Sequence, residues 1–75
     1  MALAKLDIYD YFVLPGVIQI QVERTNDPTL VDILSEVDRA NGRIYLEGHY
    51  YIMHGHEIHT TNGKTYLDLR VTETD

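Results

Sequence analysis

From Val17 onward the chain alternates strictly: Ile18, Ile20 and Val22 are separated by Gln19, Gln21 and Glu23, the period-two pattern of a strand with one buried face. The preceding stretch, back to Leu6, is also strand-like. Pro15-Gly16 between them suits the central positions of a type II turn. A two-residue loop pairs Leu14 with Val17, which puts Tyr9, Tyr11 and Val13 on the core face with Val22, Ile20 and Ile18. Unprimed turns fit tight hairpins poorly, so a longer loop with a shifted register is the alternative.

Asp27-Pro28 marks a helix start, an Asp cap followed by Pro at the first helical position, where no donor is needed. Leu30, Val31, Ile33, Leu34, Val37 and Ala40 then recur at three- and four-residue spacing, and Asn41-Gly42 supplies the stop. This predicts an amphipathic helix over residues 28–40, with Asp32, Ser35, Glu36 and Arg39 outward and Asp38 on the flank.

Strand patterns follow over residues 43–47, 49–61 and 64–72, with Glu47-Gly48 and Asn62-Gly63 as turns. Asn-Gly is a strong hairpin signal because both central residues of a type I′ turn need positive φ. Taken as a two-residue loop, it pairs Thr61 with Lys64, Ile58 with Leu67, His56 with Leu69 and His54 with Val71. The predicted fold is α+β, a ββαβββ chain forming an antiparallel sheet or small open barrel with the helix on one face.

Composition adds constraints. The 75 residues are 44% hydrophobic and carry twelve carboxylates against six Lys and Arg, a net charge of −6. This fits one folded domain over residues 1–75 with a short acidic tail, residues 73–75, and argues against direct nucleic-acid binding, which needs a basic excess. With no Cys there is no disulfide or thiolate site, and a core this small leaves self-association or a metal as the staple. No apolar run reaches the ~20 residues of a membrane span and the N-terminus lacks a signal-peptide pattern, so a soluble, reducing, cytoplasmic setting is expected.

His49, His54, His56 and His59 lie within eleven residues. In a regular strand His54 and His56 project to the same side ~7 Å apart, a spacing that suits two imidazoles on one zinc or other divalent ion. His59 or Glu57 becomes a third ligand if Gly55 carries a bulge. Gly48 followed by His54-x-His56 resembles the opening of a cupin metal motif, and His54-x-His56-x-x-His59 resembles part of the metallo-β-lactamase motif. Thr60 and Thr61 stand where the first pattern wants Glu, and Ile58 where the second wants Asp, so no activity carries over. The competing readings are half-buried histidines paired within the strands and a pH-responsive interface.

Two acidic placements oppose local stability: Asp32 and Glu36 at (i, i+4), and Glu57 opposite Asp68, each with an Arg near enough for partial relief, Arg39 and Arg70. Carboxylates spaced ~5–6 Å apart on a rigid surface imitate a phosphate array, the principle of acidic DNA mimics. The competing reading is a solvated face that keeps a small protein soluble. Adjacent Tyr50 and Tyr51 must face opposite sides, and Met53 and Tyr66 point away from the helix-covered face, an apolar strip that favours a homodimer through a sheet face or edge.

Nucleophilic catalysis has little to use, Ser35 being the only Ser and the glycines forming no phosphate loop. The expected function is therefore a non-enzymatic acidic binding protein without a cofactor, an inhibitor or regulator of a basic or nucleic-acid-binding partner protein. Its expected binding residues are Asp32, Glu36, Asp38, Glu57 and Asp68. Size and charge alone associate such chains with phage-encoded host-takeover or anti-defence proteins, acting in the host cytoplasm, and with antitoxins. The alternative is a small metal- or ligand-binding domain using His54, His56 and His59.

Overall fold

A computed structural model describes residues 3–6, 8, 10–23 and 27–74. The strands are β1 (Ala4–Lys5), β2 (Tyr11–Leu14), β3 (Val17–Val22), β4 (Arg43–Leu46), β5 (His49–Thr61) and β6 (Lys64–Thr74), with one helix, α1 (Pro28–Arg39), between β3 and β4. They form a six-stranded open sheet in the order β1-β4-β5-β6-β3-β2, antiparallel except for β1 against β4, and α1 packs on one face. The fold is α+β.

All three expected turns are two-residue hairpin loops, Leu46 pairing with His49 around Glu47-Gly48 at φ 48° and 84°. Leu14 pairs with Val17 around Pro15-Gly16, with Gly16 at φ 78°, and Thr61 pairs with Lys64 around Asn62-Gly63. Asn62 at φ 52° and Gly63 at φ 75° give the two positive values of a type I′ turn, whose twist matches that of the strands it joins.

The N-terminal strand departs from expectation. The single strand expected before Pro15 divides into β1, parallel to β4 through Ala4↔Ile44, and β2, which begins at Tyr11 after a bend at Asp10. Buried Ala4 and Leu6 flanking exposed Lys5 make a short strand of their own. The expected core placement of Tyr9 lies outside the described residues, as do Asp7 and the final residue of the acidic tail.

β1 and β2 occupy opposite edges of the sheet, yet Lys5 and Tyr11 are six positions apart. An extended chain of that length reaches at most ~21 Å. The edges of a flat six-stranded sheet would stand ~24 Å apart. The sheet must therefore curl around its core, and it does so without closing. Its concave side holds Ile18, Ile20, Ile44, Leu46, Tyr51, Leu67, Leu69 and Val71 against Leu30, Ile33 and Val37 of α1.

Two expected core positions are exposed. Val31 points outward, 64% exposed, because at 100° per residue it lies about 120° from the stripe centred on Leu30, Ile33 and Val37. Val13, on β2, lies on the core face of the pairing but is half exposed at the sheet's edge, while its neighbour Tyr11 packs against the core. No helix among the described residues is long and apolar enough to cross a membrane.

Asp27 joins β3 to the helix. Its Oδ1 accepts from the Thr29 amide at 3.0 Å, capping α1, and its Oδ2 accepts from the Glu23 amide at 3.3 Å. Removing both acceptors leaves orphan amides at the helix start. Asp27→Ala is expected to lower stability by about 1–2 kcal/mol in urea denaturation, with Asp27→Asn retaining most of it.

Candidate functional site

The chemistry anticipated from the sequence centres on β5, whose geometry is set by one extra residue. The β5–β6 register runs regularly from Thr61↔Lys64 to Gly55↔Arg70 and then resumes at Met53↔Val71, leaving His54 as a β-bulge. The expected pairing of His54 with Val71 is thus replaced by Met53 with Val71. A single inserted residue reverses which side chains face which way. Before the bulge Tyr51 and Met53 face the helix side and Tyr50 and Ile52 face outward; after it His56, Ile58 and Thr60 face the helix side and Glu57 and His59 face outward. Met53, expected to point away from the core, packs against it. Tyr50 and Tyr51 separate as anticipated, at 45% and 5% exposure.

The bulge also separates the histidines. His54 Nε2 shares a hydrogen bond of 2.7 Å with Thr72 Oγ1 on the outer face, whereas His56 stands on the opposite side, opposite buried Leu69. His59 returns to the outer face, where Nε2 donates to Asp68 Oδ2 at 2.9 Å, Nδ1 lies 3.3 Å from Thr61 Oγ1 and the ring stacks at 5.5 Å on Tyr66. His49 Nδ1 donates to Glu73 Oε2 at 2.7 Å at the other end of the strand. Among the described residues, no group of three or more His, Asp or Glu side chains is placed to hold a metal ion.

The five candidate carboxylates form two groups on opposite sides of the molecule. Asp32, Glu36 and Asp38 are exposed on the outer arc of α1. Glu57 and Asp68 lie on the sheet face turned away from the helix and oppose one another across β5 and β6. The sheet pair is compensated. Besides the His59–Asp68 bond, the Arg70 guanidinium lies over Gly55 in the space that a Cβ would fill and brings Nη1 to 3.7 Å from Glu57 Oε1. Asp68 Oδ1 is buried without a hydrogen-bond partner.

Asp32, Glu36 and Asp38 take part in no ion pair among the described residues. Asp32 and Glu36 border a depression of about 180 Å³ against β1, floored by Leu6, Ile8 and Ile33, and Glu36 also borders one of about 300 Å³ with Leu3 and Arg39. A larger hollow of about 520 Å³ at the start of α1 is lined by Asp10, Glu23 and Asp27 among other described residues, with no imidazole or amine among them.

Sequence reasoning did not anticipate a contact across the curled sheet. A hydrogen bond to Glu47, in the β4–β5 turn, together with partial burial pushes the hydroxyl of Tyr11 on β2 up to about 12. Burial, reinforced by the Glu73 carboxylate, also raises Tyr51. No local signal joins Tyr11 to Glu47, since the contact exists only once the sheet has curled.

Comparison with protein-family models, with curated proteins and with solved structures finds no match to this chain.

An unfolded tyrosine ionises near pH 10, so the raised Tyr11 stabilises the fold fully below that pH, and the contribution is lost as pH rises through about 12. In an ultraviolet tyrosinate titration, Tyr11→Phe is expected to remove a late-ionising group, and Glu47→Gln to move that group down towards pH 10. A Tyr11 transition unmoved by Glu47→Gln would contradict the assignment.

Proposed function

We propose that this protein is a non-enzymatic, acidic binding module that regulates or inhibits a partner with a basic surface, including the basic surface of a nucleic-acid-binding protein. The observation that carries the reading is the contrast between its two acidic groups. Glu57 is ion-paired with Arg70 and Asp68 accepts a hydrogen bond from His59, whereas the α1 carboxylates are exposed and lack an ion pair among the described residues. Of the five residues expected from the sequence, Asp32, Glu36 and Asp38 therefore form the binding face. Glu57 and Asp68 serve the sheet.

The depressions between α1 and β1 give this face a partly apolar floor bordered by Asp32 and Glu36, with Lys5 and Arg39 also on their rims. Such a surface suits Lys and Arg side chains, whose stems pack on apolar groups while their charged ends meet the acids. At a net charge of −6, long-range attraction adds to the encounter rate with a basic partner.

The test is capture from a lysate on immobilised protein at low and high salt, with retained proteins identified by mass spectrometry. The double variant Asp32→Lys/Glu36→Lys is expected to weaken capture of a basic partner ~10-fold or more, and Glu57→Gln/Asp68→Asn to leave it within ~3-fold. Retention that ignores salt, or that survives charge reversal on the helix, would sink the proposal.

A further inference from the structure

β5 is longer than the strand beside it. β4 pairs only with residues 49–52, and the last contact on that side is the Met53 amide donating to the Gly42 carbonyl at 2.8 Å. From Gly55 to Thr61 the strand pairs with β6 alone, and its other edge has no backbone bond to another element among the described residues. His56, Glu57, Ile58 and Thr60 are all exposed there, Ile58 by 40%. An edge of this kind is a template for another strand. Proteins keep such edges single with charged side chains, above all Lys, with Pro or with bulges; this stretch has a bulge at its inner end and one charge, Glu57, but no Lys or Pro along its length.

We propose that the edge is filled by the same stretch of a second copy, running antiparallel about a two-fold axis at Ile58 and perpendicular to the sheet. Three independent constraints give this register. The type I′ turn makes Thr61 and Lys64 a hydrogen-bonded pair, so the amides and carbonyls of residues 55, 57, 59 and 61 point to β6, and those of His56, Ile58 and Thr60 point outward. The Val71 amide, which donates to Gly16 on the β3 side, fits the same alternation in β6. Pairing about Ile58 sets Ile58 against Ile58 and His56 against Thr60, so every outward-pointing backbone group of the three meets one from the second copy.

Length gives the same centre. The free stretch is residues 55–61, and its midpoint is Ile58, so seven residues meet seven and each copy's Asn62-Gly63 turn comes to rest beside the first residues of the other's β4. Charge gives it again. This register sets Glu57 opposite His59 on the outer face, in a non-hydrogen-bonded pair where side chains approach most closely. Moving the centre by one residue would face Glu57 with Glu57 or His59 with His59.

The inference does not depend on the acidic face of α1, and its test is separate. Light scattering through the micromolar range is expected to show twice the 8.7 kDa chain mass for the native protein and for Phe12→Lys, which alters the exposed apolar strand at the opposite edge. Ile58→Lys is expected to give the single-chain mass with an unchanged circular-dichroism spectrum.

Because the chain has no Cys, register can be read by disulfide formation without dependence on that variant. A mixture of Glu57→Cys and His59→Cys chains is expected to cross-link under mild oxidation, and each alone to remain uncross-linked. A single-chain mass at every concentration, a dimer lost in Phe12→Lys but kept in Ile58→Lys, or self-cross-linking of Glu57→Cys equal to that of the mixture would each overturn the proposal.

Discussion

The extra residue at His54 is the constraint on which the outer half of the molecule depends. β5 begins as an interior strand between β4 and β6 and ends beside β6 alone, and the bulge lies where that change occurs. Without it, the alternation that buries Tyr51 would turn Glu57 and His59 towards the helix and His56 and Ile58 away from it. With it, Glu57 faces Asp68 outward and Ile58 lies on the rim of the helix-covered face. Gly55, next in the chain, gives Arg70 room to lie flat across the strand towards Glu57. One insertion thus decides which side chains are core, which are paired and which meet solvent.

The charges divide along the same two layers. On the sheet, Asp68 accepts a hydrogen bond from His59 and Arg70 lies 3.7 Å from Glu57; an exposed ion pair such as the latter contributes roughly 0–1 kcal/mol. The larger effect of Arg70 is on the field, which it weakens on that face. The α1 carboxylates have no ion pair among the described residues. In the pairing proposed for β5 the two-fold axis is perpendicular to the sheet, so both helices stand on the same side. Two acidic faces then lie on one surface, an arrangement that bears on how large a basic partner could be.

Much of this architecture was legible in the chain because its signals are local. Asp27-Pro28 and the apolar spacing after it give α1 nearly to the residue; Pro15-Gly16, Glu47-Gly48 and Asn62-Gly63 give the three hairpins; the pairing of Glu57 with Asp68 follows from the last of these turns. What escaped is non-local or alters parity. A bulge has no sequence requirement strong enough to place it, and Gly55 marked only its neighbourhood, so the directions predicted for Met53 and His54 were reversed. β1 escaped because two residues hold too little pattern, and its parallel partner lies forty positions away. The site residues were legible as types, but their division between two faces requires the fold.

The placement of β1 and β2 at opposite edges bears also on how the molecule assembles. Helix α1 and the β5–β6 hairpin draw on contacts close in the chain, whereas Ala4↔Ile44 and Ile18↔Leu69 close loops of about forty and fifty residues. Loop-closure entropy is paid before such contacts return anything, and rates fall as the mean separation of contacting residues grows. Contact order therefore argues that the C-terminal hairpin and helix form the early scaffold, with the first twenty-two residues docking onto it from both sides. Until they dock, both flanks of the nascent sheet are open, so the slow step of folding is also the interval in which the chain is most exposed to pairing with the wrong strand.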